Sequence, residues 1–152
     1  MDAYIFDTNV FNSILDEEFP VDSLSANMML CVTRVQFDEI KNTKNQGRGA
    51  KLLAVFKEVP QAMTGTDTFL VNESWINQDN IGAATGFKSL LETLNSKKKK
   101  PNNFRDALIG ETAINRGLVL VTDDVDFREA LTQCGGSSIS WNEFKKRAHM
   151  HD

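Results

Sequence analysis

Ala3-Tyr4-Ile5-Phe6-Asp7-Thr8-Asn9 opens the chain with a short apolar run that stops abruptly at an acid. A run this short and this apolar reads as a buried strand, and Asp-Thr-Asn behind it reads as the cap of a helix. The same pattern returns at Leu118-Val119-Leu120-Val121-Thr122-Asp123-Asp124, again an apolar strand ending in a threonine and acids. Met28 to Val32 is a third apolar run, and Thr33 with Gln36 after it makes a capping box. Ser137 to Ser140 is a last short strand, and Ser140 with Glu143 caps a helix behind it.

Between these strands apolar residues recur at helical spacing. Helices are expected from Val10 to about Asp16, from Thr33 onward, and from Ala50 to Val59 after a break at Asn45 to Gly49. Others are expected from about Asn80 to Leu94, through Phe87, Leu90 and Leu91, and from Asn103 to Arg116 with Gly117 as the stop. A further helix runs to about Gln133, with Asp126 and Glu129 as its capping pair, while Ser96 to Pro101 reads as a basic loop and Thr66 to Val71 as a short strand. Strands alternating with helices imply an α/β fold, a central parallel sheet covered on both faces. With 152 residues, no repeat and no linker, the chain reads as one domain over 1–148, followed by a frayed tail at 149–152.

The 41% apolar and 25% charged fractions are those of an ordinary globular protein. No apolar run approaches the roughly 20 residues of a membrane span, and the start does not read as a signal peptide, so the expected location is cytoplasmic. Cys31 and Cys134 stand alone and read as structural thiols. A net charge of −4, from 17 Lys+Arg against 21 Asp+Glu, argues mildly against a nucleic-acid binder. Bound divalent cations would offset such a charge if the acids were clustered.

Clustering is what the order of elements suggests. In open α/β sheets the ligand site lies beyond the carboxyl ends of the strands. Asp7 ends the first strand, and Asp123 and Asp124 follow the Leu118–Val121 strand. Glu39 shares a helix face with Val35, and Asp106 shares one with Ile109, Gly110 and Ala113, small residues expected to let that face approach the sheet. Like charges held together cost stability unless a cation or proton intervenes. Mg²⁺ and Mn²⁺ take carboxylate oxygens, water and phosphate, and phosphodiester hydrolysis is the chemistry such a centre supports.

Tyr4-Ile5-Phe6-Asp7-Thr8-Asn9, Val35-Gln36-Phe37-Asp38-Glu39-Ile40, Phe104-Arg105-Asp106-Ala107-Leu108-Ile109 and Leu120-Val121-Thr122-Asp123-Asp124-Val125-Asp126-Phe127 resemble, in order, the four acidic motifs of PIN domains. The resemblance spans Tyr4 to Phe127 and is strongest to the VapC-like toxins of toxin–antitoxin pairs. It implies a three-layer α/β/α fold and Mg²⁺- or Mn²⁺-dependent endoribonuclease activity through Asp7, Glu39, Asp106 and Asp124. It also implies an RNA substrate, frequent homodimers and an antitoxin partner. Asn9 and Thr122 are candidate supporting residues, and Lys97, Lys98, Lys99, Lys100 and Arg105 are candidate phosphate contacts beside the third motif.

Each assignment has a plainer counterpart. Asp7 could serve as a helix cap, Glu39 as a solvated acid near Lys41 and Lys44, and Asp106 as a first-turn acid behind an Asn103 cap. Asp126 reads as structural, and Asp123 as a solvated neighbour. Lys41, Lys44, Arg48 and Lys51 form a second basic group. His149 and His151 fall in the tail, which leaves a histidine-based ribonuclease without its proton carriers, and Trp75 and Trp141 read as packing residues. Two other functions compete: a PIN-like domain that binds RNA or protein without cutting, and a phosphoryl-transfer enzyme with Asp7 as nucleophile. Asn9, where a second aspartate would be expected, counts against the latter.

Overall fold

The computed structural model describes residues 2–21, 28–62 and 81–150, with side chains over 3–21, 28–59 and 86–148. The element order is β1 (Asp2–Phe6), α1 (Thr8–Asp16), β2 (Met28–Cys31), α2 (Arg34–Lys41), α3 (Gln46–Ala62), α4 (Ile81–Lys97), α5 (Asn103–Arg116), β3 (Val119–Val121), α6 (Val125–Gln133), β4 (Ser137–Ile139) and α7 (Trp141–Met150). The four strands lie in the order β2-β1-β3-β4, every pair parallel. The expected strand at Thr66 to Val71, and Trp75 and His151, fall outside the described residues.

Alternation along each strand divides the core into two layers. Tyr4 and Phe6 face one cluster with Phe11 of α1, Leu52 and Phe56 of α3, and Trp141 and Phe144 of α7. Ile5 and Leu120 face the other, with Leu90 of α4, Ile109 of α5 and Phe127 and Leu131 of α6. The result is the expected α/β/α sandwich. Phe6 sits edge-on to both Phe11 and Phe144, ring centroids 5.9 and 5.0 Å apart, so the end of β1 is held by aromatic packing directly before Asp7. Among the described residues no helix is long and apolar enough to cross a membrane.

Several local expectations are corrected by hydrogen bonds. The helix expected from Ala50 begins at Gln46, because the Asn45 side chain accepts from the Arg48 amide and caps it, glycines notwithstanding. Ser96 and Lys97 belong to α4 and not to the basic loop. Asn102, not Asn103, holds the cap position of α5, without a side-chain cap bond; Asn103 is buried, its amide donating to Asn95 Oδ1 and the Lys98 carbonyl. The face of α5 with Ile109 and Ala113 packs on Ile5 and Leu120 of the sheet, as expected, and at Gly110 it also admits other helices: a Cβ there would stand 2.4 Å from Leu90 of α4 and 3.2 Å from Leu131 of α6. Gly117 ends α5 in the left-handed region, φ 66°, as expected of a C-terminal stop.

Candidate metal centre

The strand order reverses between β1 and β3, and a parallel sheet opens a crevice at its carboxyl edge at such a switch point. Phe6 pairs with Val121, so the next residues, Asp7 and Thr122, emerge side by side. The Asp7 amide donates to the Val121 carbonyl at 3.0 Å, and the Thr122 hydroxyl donates to Asp7 Oδ2 at 2.7 Å. Asp7 Oδ1 accepts from the Thr8 amide at 2.7 Å and so caps α1 as well. The fully buried Thr122 hydroxyl also accepts from the Asp124 amide at 3.1 Å. One threonine therefore sets the spacing of two acids.

Asp124 is the cap of α6: its Oδ1 accepts from the Phe127 amide at 3.1 Å. This corrects the expectation that Asp126 caps that helix. The backbone at Asp124 is extended, as a helix cap requires, whereas Asp126 already lies in the first turn. Asp123 is not merely solvated either, since its carboxylate accepts from the Trp141 amide and fixes the start of α7.

Glu39 reaches the same edge through α2. The Thr33–Gln36 capping box forms, and the buried Gln36 amide donates to the Phe6 carbonyl at 2.9 Å. That bond fastens α2 to the last residue of β1 and delivers Glu39, one turn later, to Thr8, whose hydroxyl donates to Glu39 Oε1 at 2.9 Å. The anticipated lysine partners are elsewhere engaged or apart, Lys41 lying over the Phe37 ring. Asp106 comes from the first turn of α5 and is 8% exposed, and no hydrogen bond to its carboxylate is present among the described residues. It is not engaged in capping.

Burial, and repulsion from Asp7, Glu39 and Asp124, push the Asp106 carboxyl up to about 8. Burial pushes Asp7 up to about 6, against the lowering effect of Thr122 and Thr8, with Glu39 and Asp124 adding to the rise. Glu39 is raised by burial, partly offset by Thr8 and by the nearby Arg105 charge. Four segments thus bring four acids into one another's field.

The basic residues divide. Lys100 Nζ bonds Asp124 Oδ2 at 3.2 Å; burial pulls its pKa down, but Asp124, Asp106 and Asp126 together hold it above the ordinary value. Lys97 pairs with Glu129 at 3.0 Å, turned to α6. Lys98, Lys99 and Arg105 are exposed, as is Asn9. In the second basic group, Arg48 is engaged by Asn12 and Asp16. Thr8, Gln36 and Lys100 are the site-building residues whose partners sequence did not disclose.

The donor set, all oxygen and negatively charged, fits Mg²⁺ or Mn²⁺ in chemistry. It is not drawn to ligand distance: no three His, Cys, Asp or Glu among the described residues stand close enough to hold an ion together.

A parallel sheet of this order with helices on both faces has the three-layer, PIN-like α/β/α fold that the sequence implies. The solved structures it resembles agree. A chain of VapBC-1 from nontypeable Haemophilus influenzae matches with a TM-score of 0.59 at 16% identity, over 92% of this chain and 98% of that one. A chain of VapBC2 from Rickettsia felis, bound to a DNA fragment from their promoter, matches at 0.59 and 17%, over 91% and 98%. VapBC-5 of Mycobacterium tuberculosis, from the VapBC family of toxin–antitoxin systems, matches at 0.54 and 23%, over 92% and 98%. At these identities the likeness speaks for the fold. No protein-family model matches the chain, and no curated protein does.

Proposed function

We propose that the chain is a divalent-metal-dependent endoribonuclease acting through Asp7, Glu39, Asp106 and Asp124. The carrying observation is the burial of Asp7 and Asp106 at the sheet edge, beside two further carboxylates. Such a group is stable only with a proton or a cation, and an edge open to solvent can admit the cation. Bound there, Mg²⁺ or Mn²⁺ would supply Lewis acidity toward a phosphodiester and a water of lowered pKa.

The residues have distinct tasks in this reading. Asp7 is immobilised by Thr8 and Thr122, and Glu39 by Thr8, so these two keep their positions whatever enters. Asp106, without a hydrogen-bond partner among the described residues, can turn toward an ion. Asp124 keeps Oδ1 on the helix amide and offers Oδ2 once Lys100 releases it. The freed Lys100, with Lys98, Lys99 and Arg105, meets RNA phosphates. Asn9, exposed on the first turn of α1, supports from the rim. The VapBC structures support an antitoxin protein as a partner of this chain; that it restrains cleavage, and that a second copy completes a homodimer, belong to this proposal.

One observation favours the rival reading of an RNA- or protein-binding domain without catalysis: the acids stand apart from ligand distance. Incubation of structured and unstructured RNA with the protein separates the two. Cleavage with Mn²⁺ that EDTA abolishes supports the nuclease, and intact RNA under every divalent ion, with binding preserved, supports the rival.

A further inference from the structure

A pocket of about 380 Å³ opens between the end of α4 and the start of α5, lined by Leu91, Asn95, Lys99, Lys100, Pro101, Asn103 and Phe104. That is within the size range of small-ligand sites. It adjoins the acid cluster through Lys100, whose ammonium reaches Asp124. Phe104 is one of two large apolar side chains strongly exposed among the described residues, at 43%. Its ring is braced edge-on by Phe87, centroids 5.2 Å apart at 84°, so it is held in place while remaining open to solvent. A braced, exposed ring beside lysines is what single-stranded nucleic acid uses as a stacking platform.

The polar lining has a definite sense. The Lys98 carbonyl can only accept, so the Asn103 group facing it is the amide nitrogen, and that nitrogen also donates to Asn95. Asn95 therefore turns its oxygen toward Asn103, and its NH₂ has no hydrogen-bond partner among the described residues. Asn103 Oδ1 is fully buried and beyond reach of a ligand. With Asn95, Lys99 and Lys100 the reachable polar groups are donors.

We propose that this pocket is a nucleobase subsite of the RNA substrate, selective for a keto-bearing base, uracil or guanine. The inference rests on the reading of the chain as an RNA enzyme. The base stacks on Phe104 and its keto oxygen accepts from the Asn95 amide. An amino group in that place, as in cytosine or adenine, meets donors and is rejected. Lys100 links the subsite to the acid cluster, so the phosphate beside the bound base is the one presented for cleavage.

Oligo-uridine and oligo-cytidine of equal length differ chiefly in one keto or amino group and serve as probes, with binding read by fluorescence anisotropy in EDTA so that nothing is cut. Wild-type protein should bind oligo-uridine about fivefold more tightly. Phe104→Ala should weaken both complexes about tenfold, with the thermal midpoint confirming the fold. Asn95→Ala should erase the preference. Equal affinity for the two oligomers, or an unchanged Phe104→Ala variant, overturns the subsite while leaving metal-dependent cleavage to be judged separately. Failure to bind either oligomer overturns the subsite and counts against the RNA reading itself.

Discussion

Replacing Asp106 with asparagine should make the metal-free protein more stable at alkaline pH. The carboxyl is raised from 3.8 to about 8 in the folded state, so the fold holds its proton more tightly than the unfolded chain does. The sign follows: the penalty is absent below the unfolded value, grows as pH rises, and is complete above about 8. At about 1.4 kcal/mol per pKa unit, the rise corresponds to about 6 kcal/mol, part of it repulsion shared with Asp7. Asparagine carries no charge but buries an amide whose unmade hydrogen bonds cost about 1–3 kcal/mol. A net gain of about 3–5 kcal/mol remains, which in a chain this size raises the midpoint by roughly 6–20 °C. Differential scanning calorimetry in EDTA should show that gain at about pH 8.5 and none at about pH 3, where both proteins are neutral at this position in the folded and unfolded states. With Mn²⁺ the wild type should recover the difference, since an ion bound only by the folded state stabilises it. A variant less stable than wild type across the whole pH range would refute the reasoning, because the fold would then carry no penalty for ionising Asp106.

Two other substitutions probe the supports of the site. Thr122→Val keeps the shape but removes the donor to Asp7 and the acceptor of the Asp124 amide. Urea denaturation should register a loss of about 2 kcal/mol, and Mn²⁺ affinity should fall; unchanged values would deny the threonine its role in spacing the acids. Lys100→Met removes the ammonium from Asp124, so Mn²⁺ should bind several-fold more tightly in calorimetric titration without RNA, while RNA binding weakens and loses part of its salt dependence. Equal Mn²⁺ affinity would show that Lys100 does not compete for the carboxylate.

The sheet and its acids were legible because they follow from local pattern. Asp7 and Asp124 stand at the ends of apolar runs, and buried parallel strands must deliver their last residues to one edge. The Thr33–Gln36 box was equally local. What escaped were bonds between distant residues: Gln36 to the Phe6 carbonyl, Thr8 to Glu39, and Lys100 to Asp124. Nothing within a helical turn of any of these residues specifies such partners. Caps failed where two equivalent residues competed, Asn102 against Asn103 and Asp124 against Asp126. There the choice fell to tertiary contacts, with Asn103 drawn inward to Asn95 and Asp124 fixed by Thr122. Phe104 was read only as part of a motif, since exposure of a ring depends on the helix beside it.

The most direct test of the account is the chemistry of the cut ends. Water attacking the phosphorus leaves a 5′-phosphate and a 3′-hydroxyl, whereas attack by the RNA 2′-hydroxyl leaves a 2′,3′-cyclic phosphate. RNA cleaved by this protein in Mn²⁺ should carry 5′-phosphates, and Asp124→Asn should yield none. A 2′,3′-cyclic phosphate formed in EDTA would contradict the assignment of Asp7, Glu39, Asp106 and Asp124 as a metal centre.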